Sequence, residues 1–109
     1  LERVEKGEQQ IFKLSSKTIY DRMKKVLIVD GKKHTLKPVP AKVMWMLCVR
    51  RNEEVSIIEL CERLWGVDTI LKRDEITTYV SMLRNFLKLD DSIQLTKGYG
   101  GSYQLITSE

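Results

Sequence analysis

Hydrophobic and polar positions change their period along this chain. Between residues 11 and 36, β-branched and aromatic residues fall in short runs, "IFKL", "TIYD" and "KVLIVDGKKHTL", broken by Ser, Lys and Asp-Gly. Runs of this length and make-up read as strands, and Asp30-Gly31 between apolar residues is a strong hairpin signal. A small antiparallel sheet is expected. Pro38 and Pro40 end it, and because proline is tolerated in the first helical turn they also mark where a helix can begin. That helix is expected to reach about Arg51, with Ala41, Met44, Leu47, Cys48 and Arg51 on one face and Trp45 and Met46 widening the apolar surface.

A helical period then takes over. Ser56 followed by Glu59 has the spacing of a capping box, in which the hydroxyl accepts from a backbone N–H and the carboxylate reaches back. Ile57, Leu60, Cys61 and Leu64 recur on one face, and Gly66 is a natural left-handed terminator. The stretch "VDTILKRD" is expected to be a connection longer than a tight helix-turn-helix needs, with Asp74 capping a third helix over 75–88.

In that third helix Ile76, Val80, Leu83 and Leu87 lie within roughly 60° of one another and form the expected buried stripe. The reverse face carries Thr78, Ser81, Met82 and Asn85, with no large rigid side chain and no like-charge cluster. Such a face can approach the edges of bases in a DNA groove. Thr77, Arg84 and Lys88 line one flank, from which the long side chains can reach phosphates. Tyr79 and Phe86 are expected to pack against the hairpin that follows, Tyr79 being also a candidate groove contact.

The last segment alternates. Ile93 and Leu95 on one arm, and Tyr103 and Leu105 on the other, predict a hairpin with one buried face. Gly98, Gly100 and Gly101 free the backbone between them, and Lys97 is the basic residue placed to enter a minor groove. The stretch "GYGGSY" is not a nucleotide loop, because Tyr103 replaces the third glycine and the stretch joins two strands.

The order sheet, three helices, hairpin gives an α+β winged helix-turn-helix, and the motifs sharpen it. "VSIIELCERLWG", "ITTYVSMLRNFL" and "IQLTKGYGGSYQL" together resemble the C-terminal DNA-binding effector domain of OmpR/PhoB-type response regulators, as a divergent member. The matching positions are Val55, Ser56, Leu60, Trp65 and Gly66, then Ile76, Val80, Leu83, Arg84 and Leu87, then Thr96, Lys97 and Tyr103. The resemblance covers about residues 11–106. It implies double-stranded DNA as partner, bound on direct-repeat half-sites, and an N-terminal receiver domain upstream. It also implies that a loop formed by Val67, Asp68, Thr69, Ile70, Leu71, Lys72 and Arg73 faces RNA polymerase. The chain departs from the family pattern at Asp74 and Glu75, where a base is usual, at Thr77 and Tyr79, which replace Asp-x-His, and at Met82.

Composition narrows the rest. A chain of 109 residues with net charge +4 and pI near 9.1 is one domain leaning toward anionic partners. Residues 1–10, "LERVEKGEQQ", read as a linker or the end of an upstream domain, and residues 11–109 as the winged-helix domain; a start at Leu1 suggests a piece of a longer protein. Cys48 and Cys61 sit among apolar residues, which predicts packing and a reducing, cytoplasmic setting. With His34 the one histidine and no carboxylate pair or Ser-His-Asp set, neither catalysis, metal nor cofactor is expected. Trp45 and Trp65 are expected in the core.

DNA binding as a homodimer is thus the leading expectation, with Lys42, Lys72, Arg73, Arg84, Lys88 and Lys97 on phosphates, helped by Thr77, Tyr79 and Thr96. Neutralising about four to six phosphates predicts a log-affinity against log-salt slope of roughly −4 to −5. The alternatives are a winged-helix protein-interaction module with weak or no DNA binding, favoured by Asp74 and Glu75, and RNA recognition by the wing and sheet.

Overall fold

The computed structural model describes residues 10–98 and 100–108, so the expected linker lies outside the described residues except for Gln10. Four strands, β1 (Ile11–Lys13), β2 (Thr18–Asp21), β3 (Val26–Val29) and β4 (Lys32–Thr35), form an antiparallel sheet in chain order. Asp30 and Gly31 both take positive φ, 50° and 82°, the twist a two-residue hairpin turn requires. Phe12, Tyr20 and Leu27 stand side by side across three strands and are all buried. The Tyr20 hydroxyl donates to the Ala41 carbonyl at 2.9 Å, fastening the sheet to the first helix.

That helix, α1 (Pro38–Val49), stops just short of the expected Arg51. Ala41, Met44, Leu47 and Cys48 are buried as the spacing predicts, while Arg51 stays half-exposed. In α2 (Ile57–Trp65) the Ser56 Oγ accepts from the Glu59 N–H at 3.0 Å, and Gly66 closes the helix at φ 74°. Only half of the capping box forms. The Glu59 carboxylate turns instead to Arg50 Nη1 at 2.7 Å and lies 3.6 Å from Arg63 Nε, because a cation outcompetes a backbone N–H for it.

The third helix, α3 (Ile70–Leu87), corrects the sequence reading of its start. Thr69, not Asp74, is the N-cap, and its hydroxyl accepts from the Lys72 N–H at 3.2 Å. The link after Gly66 is therefore the short stretch 67–69, a tight turn, and residues 70–73 are helix instead of loop. Two contacts hold this extra turn: Arg73 grips Asp68 with two hydrogen bonds of 2.6 Å, and Lys72 sits 4.5 Å above the Trp65 ring.

Beyond the helices, β6 (Gln94–Lys97) and β7 (Ser102–Ile106) make the expected hairpin. A strand not foreseen, β5 (Glu54–Ser56), pairs with β7, giving a three-stranded sheet of order β5-β7-β6. One apolar cluster joins both sheets and all three helices. Cys48 and Cys61 are buried and unbridged within it, and burial pushes both thiols up, so they act as packing residues. The tryptophans differ from expectation: both lie partly exposed at the core's margin, Trp45 beneath the Arg22 guanidinium at 3.9 Å and Trp65 beneath Lys72. A large ring that carries a cation on its face keeps one side near solvent.

Candidate nucleic-acid interface

Everything about the surface of α3 follows from its buried stripe. Ile76, Val80, Leu83 and Leu87 are each 2% exposed or less, and at about 1.5–3 kcal/mol per fully buried aliphatic side chain this stripe fixes the rotation of the helix. The opposite side is thereby turned outward. Thr78, Ser81 and Asn85 are all exposed, one above another at helical spacing, while Met82 at the edge of this face is half-buried against the core. Thr78 Oγ1 donates to the Asp74 carbonyl at 3.1 Å and retains its lone pairs as acceptors.

The two flanks are spoken for by different sheets. On one, Arg84 Nε donates to the Leu95 carbonyl at 2.8 Å, and Thr77 Oγ1 lies 3.4 Å from the Tyr103 hydroxyl while donating to the Arg73 carbonyl at 3.0 Å. These two residues, two turns apart, clamp the helix to the wing. On the other, Phe86 stacks on His34 of β4 with centroids 4.1 Å apart, so Phe86 packs against the N-terminal sheet and not the wing as expected. Helical geometry explains this: Phe86 is about 180° from Thr77 around the axis, which puts it on the side away from the hairpin. The Tyr79 hydroxyl donates to Glu75 Oε1 at 3.3 Å, and burial, with the Glu75 carboxylate beside it, pushes the phenol up.

The first turn of α3 spends its charges internally. Lys72 Nζ pairs with Glu75 at 3.1 Å, and the fork of Arg73 on Asp68 raises the guanidinium and holds the Asp68 carboxyl below its usual range. Ile70 and Leu71 in the same turn are 78% and 77% exposed, and Asp74 is exposed too. The sequence reading missed these three as members of the outward face because it placed the helix start after them. Thr69 followed by Lys72 lacks the acidic residue that completes a capping box, and Asp74 is the stronger cap by residue type.

At the wing, Gly98 and Gly101 have distinct roles. A Cβ on Gly98 would meet Glu54 Oε1 at 2.5 Å and Ser102 Oγ at 2.7 Å, the pair that themselves hydrogen-bond at 2.7 Å. Gly101 has φ 75°, and its carbonyl receives the Ile57 N–H at 2.8 Å, tying the tip of the hairpin to the start of α2. Ile93, Leu95, Tyr103 and Leu105 are buried, Lys97 is exposed, and Thr96 is half-exposed with its hydroxyl 3.5 Å from the Gln104 carbonyl. Lys42 on α1 and Lys88 at the C-cap of α3 are exposed as well.

Known proteins share this arrangement. No protein-family model matches the chain. In sequence it is 28% identical to the transcriptional regulatory protein RprY of Bacteroides fragilis over 94% of the chain and 43% of that protein. It is 25% identical to the response regulator SaeR of Staphylococcus aureus over 75% of the chain and 37% of that protein. The chain thus spans less than half the length of these relatives. In fold it is similar to the response regulator DrrB, a Thermotoga maritima OmpR/PhoB homolog, with a TM-score of 0.75 at 13% identity over 91% of this chain and 45% of that one. It is also similar to the DNA-binding domain of Escherichia coli CadC, with a TM-score of 0.73 at 19% identity over 91% and 94% of the two chains. A third likeness, TM-score 0.65 at 23% identity, is to the C-terminal domain of the nisin resistance regulator NsrR. The resemblance to OmpR/PhoB-type response regulators and the winged-helix architecture are both borne out.

Proposed function

We propose that this domain binds double-stranded DNA as the effector part of a transcription regulator, with α3 in the major groove and the wing against the minor groove. The observation that carries this reading is the exposed column Thr78, Ser81 and Asn85 on a helix whose other faces are all committed to packing. Short hydroxyl and amide side chains on such a column can meet base edges without a steric barrier, Asn pairing best with adenine. Met82 contributes its thioether edge toward a thymine methyl.

Phosphate contacts are proposed for Lys42, Lys88 and Lys97, which are exposed. Arg84 acts more as the strut between helix and wing, because its Nε is held by Leu95. Lys72 and Arg73 must first leave Glu75 and Asp68, and Thr77, Tyr79 and Thr96 have hydroxyls already engaged. The salt slope is therefore expected nearer roughly −3 than −5. Titration of the chain against a labelled random duplex pool at several salt concentrations tests this; a slope near zero contradicts it. Dimers on direct-repeat half-sites, a preceding receiver domain and a cytoplasmic setting belong to the same proposal. So does a contact between RNA polymerase and the turn 67–69 with the first turn of α3.

A second reading has its own observation. Ile70 and Leu71 are large exposed aliphatics beside Asp74 on the face that would meet DNA, and an acid there repels phosphates. A protein-interaction module would present such a surface. Self-association or capture of a protein partner through α3, with no shift of any duplex in a gel assay, would favour it.

A further inference from the structure

Away from α3 and the wing, a groove of about 620 Å³ opens between the β2–β3 turn and helices α1 and α2. Four of its lining residues are cations, Arg22, Lys25, Lys42 and Arg63, and none of the described residues that line it is acidic. Its floor is apolar, with Trp45 and Met46 of α1 joined by Leu64 of α2. Met23, at the rim, is 75% exposed. These cations come from three parts of the chain, Arg22 and Lys25 from the β2–β3 turn, Lys42 from α1 and Arg63 from α2, so the positive ring is assembled by the fold.

We infer that this groove docks an acidic peptide segment of a partner protein, with an aliphatic side chain seated on Met46 and Leu64 beside the Arg22-capped Trp45 indole and carboxylates on the surrounding cations. The volume suits a few side chains, and grooves that bind ligands combine apolar walls with few charged groups in this way. Charge complementarity selects the partner: four cations around a hydrophobic floor attract carboxylates and leave an uncharged or basic peptide without compensation. A DNA backbone fits the same charges less well, since it offers phosphates and no apolar group for the floor. Among the described residues none of α3, β6 or β7 lines the groove, and Lys42 is the one lining cation that the groove shares with the proposed DNA contacts.

The indole at the floor supplies the readout. In a Trp65→Phe variant of the full chain the remaining tryptophan, Trp45, reports on the groove alone. Titration with a short synthetic peptide alternating glutamate and leucine should change its emission saturably, and the lysine-leucine counterpart should not. Lys25→Glu with Arg63→Glu in that background should weaken the acidic peptide at least tenfold. Should that double variant unfold, high salt added to the parent must weaken the titration by a similar factor. The inference is overturned if the acidic peptide gives no saturable change, if the lysine peptide matches it, or if a duplex DNA fragment produces the same response.

Discussion

Asp68 and Asp90 stand at opposite ends of α3, and both carboxyls are held below their usual range, yet they hold the helix by different physics. Asp68, before the N-cap, meets Arg73 through a two-point fork at the surface. Asp90, just beyond the C-cap, is 2% exposed and is held by hydroxyl and backbone donors instead of a cation among the described residues. Its burial alone would raise the carboxyl, but hydrogen bonds from Ser15, Ser92 and Thr18 outweigh that and pull it down. Thr18 Oγ1 donates to it at 2.6 Å, Ser92 Oγ at 2.6 Å and the Ser92 N–H at 3.0 Å, with Ser15 Oγ closing the set. The C-terminal end of α3 is thus pinned to the N-terminal sheet through the interior. Its N-terminal end is pinned at the surface, to Asp68 on its own approach and through Lys72 to the Trp65 ring at the end of α2.

The same division runs along the helix. Past Ile76 every turn buries an aliphatic residue, whereas the first turn leaves Ile70 and Leu71 outside. The difference is the reason the sequence was legible from 76 onward and misread before it. Periodicity reports burial, and a turn that buries nothing has no period to read. The strands around Asp30-Gly31, the stripe of α3 and the wing alternation were legible because each combines burial with local turn or cap chemistry. β5 was not, because it runs straight into α2 and its last residue, Ser56, reads as the N-cap of that helix. The ion pairs that occupy Lys72 and Arg73 were equally hidden, since a basic residue reads the same in sequence whether or not an acid holds it. Of the site, the outward column Thr78, Ser81 and Asn85 was fully readable, as it is simply the complement of the stripe.

The comparison can be broken or sharpened by substitution. The largest effect is expected from Leu83→Ala, which removes a fully buried contact of the second region and should cost about 2–5 kcal/mol in denaturant unfolding. Leu71→Ala in the first region should stay within about 0.5 kcal/mol; equal losses would erase the distinction.

Next is Asp90→Ala, expected to cost about 1.5–3 kcal/mol by leaving buried hydroxyls without their charged acceptor. Because the folded carboxyl titrates below the unfolded value of about 3.9, Asp90 stabilises the fold above that pH. The contribution is lost progressively as pH falls from about 4 through the lower folded value. Thermal melts between neutral and acid pH should show part of the acid limb vanish in the variant.

Asp68→Asn is expected to change stability least, since the fork it breaks is at the surface and is screened by salt. Its effect should appear in binding instead. Releasing Arg73 adds a cation for phosphate and should steepen the salt slope by about 1. An unchanged slope would mean that Arg73 does not face the duplex even when free.

The central claim is that the outward column of α3 reads base edges. Selection of duplexes from a random pool by the full chain, repeated with Thr78→Ala and with Asn85→Ala, tests it most directly. The account predicts that each substitution alters the preferred base at one or two positions of the site while leaving the fold and the salt slope as they were. Identical preferences from all three proteins would contradict it.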